Sequence, residues 1–265
     1  MVIDAHVHIG RMLNFDMSPK IVLKSAKKYK IDYMLVSNTE SAEVDHNQEL
    51  IPGEYTFTQE TSARNVIDFA KKNPDKIGAL LWVKPLTAKP TDELRKIIED
   101  NRDYVYGIKV HPYHSKVRFD DPRVEEYIKL AAEYDLPVMT HGAGDDCSSP
   151  ARVYNMAKKY PGTDFIIAHM GLGTDNQESI KYIKELPNLY GDTAWVMPDK
   201  TLQAIKECGP EKILFGTDNP IDGVDTYAHK EMCSVYLNSF RDMVSKEEYD
   251  LLMYKNAIRL FKLKL

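Results

Sequence analysis

The chain has 265 residues, 43% hydrophobic and 28% charged, which supplies enough apolar side chain for one large core and excludes an intrinsically disordered polypeptide. The formal net charge is −5 with both signs interspersed, so the basic stripe of a nucleic-acid binder is missing. The first residues lack the regions of a signal peptide, and no apolar run approaches the ~20 residues of a membrane span.

Short runs rich in Val, Ile, Phe and Tyr predict strands over 2–9, 33–38, 77–84, 104–111, 136–141, 165–170, 189–194 and 213–218. Helices are expected between them over 18–29, 61–72, 91–101, 121–135, 149–159, 176–185 and 198–208, with a helical tail from about 226 to the end. Ser18-Pro19, Asp121-Pro122 and Ser149-Pro150 each read as an N-cap followed by proline at the first helical position, and Asn73-Pro74 marks a helix end. Lysine pairs such as Lys27-Lys28, Lys71-Lys72 and Lys158-Lys159 fall at helix C-terminal turns, where the dipole favours cations. The interval 39–60 is long for a connection. It leaves the C-terminal end of a strand, so it reads as a lid or binding loop.

Eight strand–helix units in this length predict a single-domain (β/α)8 TIM barrel over 1–265. The competing doubly wound sheet would carry a glycine-rich phosphate turn after its first strand, where this chain has His8-Ile9-Gly10-Arg11.

The first strand carries the sharpest chemical signal. Period-two alternation puts Ile3, Ala5, Val7 and Ile9 on one face and Asp4, His6 and His8 on the other. Two imidazoles and a carboxylate side by side on a barrel's inner face are costly to bury unless a metal accepts the imidazole lone pairs. His141, His169 and Asp218 end the predicted strands of units five, six and eight. One histidine at a strand end is more often structural, but strand ends converge at the mouth of a barrel. Nitrogen and oxygen donors without thiolate suit zinc, with iron, manganese or cobalt as alternatives. Cys147, Cys208 and Cys233 have no C-x-x-C spacing and predict neither disulfides nor a thiolate site, which fits a cytoplasmic protein.

Lys109 and His111 share the inward face of the fourth predicted strand, and Lys109 reads as a cation for a substrate carboxylate. Arg11 reads equally as an anion-binding group or a surface arginine, and Lys84 is open in the same way. Glu43, Asp45 and His46 read as solvated loop residues. Trp82 and Trp195 read as core or mouth residues, and His114 and His229 receive no role.

Asp4-Ala5-His6-Val7-His8, Thr140-His141-Gly142, Ala168-His169-Met170-Gly171 and Phe215-Gly216-Thr217-Asp218-Asn219-Pro220 together resemble the amidohydrolase superfamily. The branch they are most similar to is the amidohydrolase-2 group, which includes aminocarboxymuconate-semialdehyde decarboxylase. The resemblance runs to Lys255-Asn256-Ala257-Ile258-Arg259-Leu260-Phe261 near the C-terminus. It implies that His6, His8 and His141 ligate a metal and that His169 ligates it or polarises substrate. It implies that Asp218 binds the metal and takes a proton from water. In binuclear members a lysine of the fourth strand is carboxylated and bridges two ions, so the expectation is one ion, or two with Lys109 carboxylated. The function expected is metal-dependent hydrolysis of a small amide, ester or lactone. The alternatives are non-oxidative decarboxylation of a small carboxylic acid, and an inactive barrel serving as a binding protein. The expected partner is a small molecule, anionic if Lys109 or Arg11 meets it, and a homo-oligomer stays open.

Overall fold

The computed structural model describes residues 1–12 and 15–265. Eight parallel strands alternate with helices in a single TIM barrel. They are β1 (Ile3–Met12), β3 (Tyr33–Asn38), β4 (Ile77–Trp82), β5 (Val105–Val110), β6 (Val138–Ala143), β7 (Phe165–Leu172), β8 (Leu189–Asp192) and β9 (Ile213–Leu214). A short β2 (Phe15–Met17) returns antiparallel on the end of β1, a hairpin that the periodicity does not predict. Strand order follows chain order, as right-handed β–α–β crossovers produce.

The helices obey their local signals. Helix α1 (Pro19–Tyr29) opens on Pro19, and α2 (Gln59–Lys72) is capped by Thr58, whose hydroxyl accepts from the Thr61 N–H. Asp121 caps the helix Pro122–Glu133 in the same way, through the Arg123 N–H. The tail differs from the continuous helix expected from 226. It breaks into short turns at Gly223–Ala228 and Phe240–Asp242 and a short helix at Cys233–Asn238, before Lys246–Asp250 runs through a π turn into Asn256–Phe261.

Two apolar layers hold this frame. Val7, Val36, Leu81, Ile108, Val138 and Phe165 pack outward against helix residues such as Val22, Ala63, Leu94 and Val153. Ile3, Leu35, Leu80, Met139, Ile166 and Leu214 point inward and form the floor with Ala257, Leu260 and Phe261 of the last helix. Ile3 and Ala5 were expected to share a face with Val7 and Ile9, but they lie inside. The register between β1 and β3 slips between Asp4 and Val7, and this bulge inverts the alternation. Asp4 therefore pairs beside the outward Met34, while His8 pairs beside Ser37.

The regular part of β9 is only two residues long, yet the barrel closes. Ala5 N–H donates to the Phe215 carbonyl at 2.9 Å, Asp218 N–H to the His6 carbonyl at 2.9 Å, and His8 N–H to the Asn219 carbonyl at 2.8 Å. The seam between the first and last strands thus runs through three of the residues singled out in the sequence.

Phe261 is 2% exposed and caps the floor beneath Gly107. Phe261→Ala is expected to lower unfolding stability by about 3–5 kcal/mol, read from denaturant midpoints. Met243→Ala, at a position 50% exposed, is expected to leave the midpoint nearly unchanged.

Candidate metal centre

His6 and His8 stand on β1, within and after the bulge, His141 on β6, His169 on β7, and Asp218 in the segment that follows β9 (Ile213–Leu214). Their local backbones explain why they reach the centre. His169 (φ 63°) and Asp218 (φ 65°) occupy the left-handed region that L-residues avoid, and Trp195 (φ 57°) does so beside them. Strain of that kind persists only where surrounding contacts over-determine it, and it clusters at functional sites.

His6, His169 and Asp218 offer ligand atoms that all lie within 4.8 Å of one another. His8 joins them: its Nε2 is 2.9 Å from Asp218 Oδ1 and 3.1 Å from His6 Nε2. His141 belongs to the same cavity but packs differently. Its ring stacks on His111 at 4.1 Å and meets the His169 ring edge-on at 4.9 Å.

The surrounding acceptors decide where the imidazole protons sit. His6 Nδ1 faces Asp192 Oδ2 at 2.8 Å, and His169 Nδ1 faces the Ala194 carbonyl at 3.0 Å. A carboxylate oxygen and a carbonyl oxygen both accept, so the proton of each ring sits on Nδ1 and both Nε2 atoms are lone pairs. His8 Nδ1 has Ser37 Oγ at 2.9 Å, a hydroxyl that can donate as well as accept. The unprotonated Nε2 atoms of His6 and His169 beside a carboxylate, each ring held from behind by an acceptor, are donors of the kind a divalent metal needs. The residues fit the ion that the sequence calls for.

Burial drives the His6 and His141 pKa values well below the usual range and lowers that of His169, which keeps the rings neutral as ligands must be. Asp218 goes the other way. Burial alone would raise it, but the His8 hydrogen bond and the neighbouring imidazoles outweigh this and hold it well below the ordinary carboxylate range. Trp195 Nε1–H donates to Asp218 Oδ2 at 2.9 Å and fixes its second oxygen.

Lys109 is 1% exposed, and its Nζ lies 2.8 Å from His6 Nε2. Burial brings its pKa down to about 8. His111 accepts a bond from the His114 N–H on Nδ1, at 3.3 Å, which leaves its Nε2 as a neutral N–H donor. Arg11 stands apart. It is exposed and lines clefts beside Glu40, outside the cavity over the histidines.

That cavity, about 600 Å³, is walled by Trp82, Tyr113, His46, His111, His114 and Leu172. His46 enters it because the 39–60 segment is pinned across the mouth. Glu43 N–H and Val44 N–H both donate to the His114 carbonyl at 2.9 Å, and the Glu43 carboxylate accepts the Thr87 N–H at 2.6 Å. Lys84, left open from sequence, is the clamp. Its ammonium donates to the Phe57 carbonyl and to Thr56 Oγ1, each at 2.8 Å.

Sequence reasoning missed Asp192 and the roles of Trp195 and Ser37. Asp192 did have a signal: a carboxylate within a predicted inner strand that must find donors or a cation when buried. Asp4 lies away from the centre, accepting from Thr217, from Tyr227 Oη at 2.7 Å and from His6 N–H at 3.0 Å. Burial lifts its pKa to about 7.

The sequence profile of the amidohydrolase family, amidohydrolase-2 group, matches residues 3–263. The chain belongs to that family. No functionally curated protein matches this family member in sequence. Among solved structures it is similar to a candidate amidohydrolase from Staphylococcus aureus, with TM-score 0.73 and 14% identity over 99% of each chain. It is similar to 2,6-dihydroxybenzoate decarboxylase from Rhizobium, with TM-score 0.68 and 16% identity over 98% of each chain. A 5-carboxyvanillate decarboxylase from Novosphingobium aromaticivorans, complexed with manganese and 4-hydroxy-3-methoxy-5-nitrobenzoic acid, gives TM-score 0.72 and 13% identity over 99% of this chain and 96% of that one. At these identities the structural likeness speaks for the fold. Among the described residues, no helix of this amidohydrolase-family chain is long and apolar enough to cross a membrane.

Gly216 leaves no room for a side chain. A Cβ there would lie 2.9 Å from His6 Cβ and 3.2 Å from Asp192 Oδ2. Gly216→Ala is expected to cost about 1–3 kcal/mol and to displace His6. Thermal melting with elemental analysis checks this, and a variant that melts and loads metal like the parent would contradict the packing described.

Proposed function

We propose that the protein is a metal-dependent non-oxidative decarboxylase of a small, flat carboxylic acid. The observation that carries this reading is the centre of neutral imidazoles and Asp218 set under a cavity walled by Trp82, Tyr113 and three further histidine rings. A planar acid would stack on such walls with its carboxylate toward His6, His169 and Asp218 below. The decarboxylase neighbours, one of them complexed with manganese and a nitrobenzoic acid, support the same choice.

His6, His8, His169 and Asp218 would hold one divalent first-row ion, with His141 beside them. Nitrogen and oxygen donors suit zinc, and manganese is the ion of the 5-carboxyvanillate decarboxylase neighbour. When bound, the ion supplies positive charge against the substrate's oxygens. Lys109 adds a second cation on the same side. His111 offers its Nε2–H to a substrate oxygen. Asp218 takes a proton from the acidic substrate or from water and gives it to the substrate carbon as the bond to the carboxyl group breaks. The electron pair of that bond stays on carbon, carbon dioxide leaves, and the net change is uptake of one proton. Trp195 holds one Asp218 oxygen, so that the proton passes at a fixed place.

The second reading is hydrolysis of a small amide, ester or lactone, and Lys109 favours it. A buried lysine against His6 Nε2 stands where binuclear hydrolases of the superfamily carry a carboxylated lysine. A panel of hydroxylated aromatic acids, esters and lactones separates the two. Carbon dioxide release with no acid production from esters is the expected result, and acid release from an ester without carbon dioxide would replace decarboxylation by hydrolysis. Asp218→Asn is expected to lower turnover by at least about 10²-fold. Chelation is expected to abolish activity and to lower the melting temperature, both restored by one equivalent of divalent ion.

A further inference from the structure

We infer that Asp192 is the positioning residue of this centre, setting the proton of His6 with one oxygen and the turn at His169 with the other. The inference rests on the metal reading above and concerns how this chain prepares its ligands.

Asp192 ends β8 and is fully buried. Its Oδ1 accepts the His169 N–H at 2.8 Å and the Ala194 N–H at 3.1 Å. Its Oδ2 lies 2.8 Å from His6 Nδ1. The first pair of bonds ties down the left-handed turn that aims the His169 ring. The bond from Oδ2 has no such backbone task. Its partner is a ring nitrogen, and an acceptor there compels the proton onto Nδ1. The Nε2 lone pair of His6 then points at Asp218 and Lys109, 3.5 Å and 2.8 Å away. A single buried carboxylate thus couples two ligands from two different strands. A carboxylate this deep is retained at a cost that a purely structural acceptor, such as a backbone carbonyl, would avoid.

Asn is the informative substitution because the two oxygens do different work. In Asp192→Asn the amide oxygen still accepts from His169 and Ala194. The amide nitrogen now donates to His6 Nδ1, moves the ring proton to Nε2 and blocks the lone pair. The expected outcome is an apo protein that melts near the parent temperature yet binds Co²⁺ roughly 10- to 100-fold more weakly in chelator competition. Parental Co²⁺ affinity in Asp192→Asn would overturn the assignment. A second measurement needs no Asp192 variant. In ¹⁵N-histidine-labelled apo wild type, with His6 assigned by its missing signals in His6→Gln, Nδ1 should be protonated and Nε2 bare. The reverse pattern overturns the assignment even if Asp192→Asn fails to fold. If the wild type binds no divalent ion, the metal reading fails on its own account, while the nitrogen shifts still decide what Asp192 does to His6.

Discussion

The hydrogen-bonded seam between the first and last strands is the constraint on which the rest of the molecule depends. Two regular residues of β9 would close a barrel poorly by themselves. Closure is completed by Ala5, His6 and His8 on one side and by Phe215, Asp218 and Asn219 on the other, through backbone groups. Three of the residues that carry the donors, His6, His8 and Asp218, are therefore residues that zip the cylinder. Their relative positions are fixed by sheet geometry rather than by flexible loops, which is the precision a coordination site requires.

Around that seam, each of these imidazoles is held from behind by a different kind of partner. A carboxylate holds His6, a backbone carbonyl holds His169, and a hydroxyl stands behind His8. Trp195 does the corresponding job for Asp218 with a donor. The same surroundings keep the imidazoles neutral and the carboxylate charged, so the burial that makes the site costly to build also leaves it ready for a cation. Lys109 presents the complementary feature, an ammonium in the heart of the cluster that is matched by Asp192 and Asp218.

Much of this was legible in the sequence. The eight-fold alternation of strands and helices and the histidines at strand ends follow from period and position alone, and helix starts follow from proline and cap residues. The inward direction of Asp4 did not hold, because one extra residue in β1 reverses the parity and no local residue type announces a bulge. The tail from 226 reads as helical by composition, but Tyr227, Tyr236 and Phe240 are buried in the outer apolar layer on short turns and a short helix rather than on one continuous helix. Asp192 lay within the predicted strand 189–194 but carried no histidine or motif beside it, so its partners on β1 and β7 emerge only from the tertiary structure. Lys84 and Glu43 could not be assigned from spacing, since both act on a segment whose path is set by tertiary contacts.

The pinned segment from Glu43 to Phe57 divides the protein's labour along its length. It supplies His46 and supports His114 and Tyr113 above the cavity, but it contributes nothing to the seam or to the cluster below. Its anchors are two buried charges and a few main-chain bonds, with the intervening residues facing outward. The lining that this segment gives the cavity can thus drift, or be exchanged by grafting, in a stretch of about fifteen residues, while the histidine and aspartate cluster stays untouched below it.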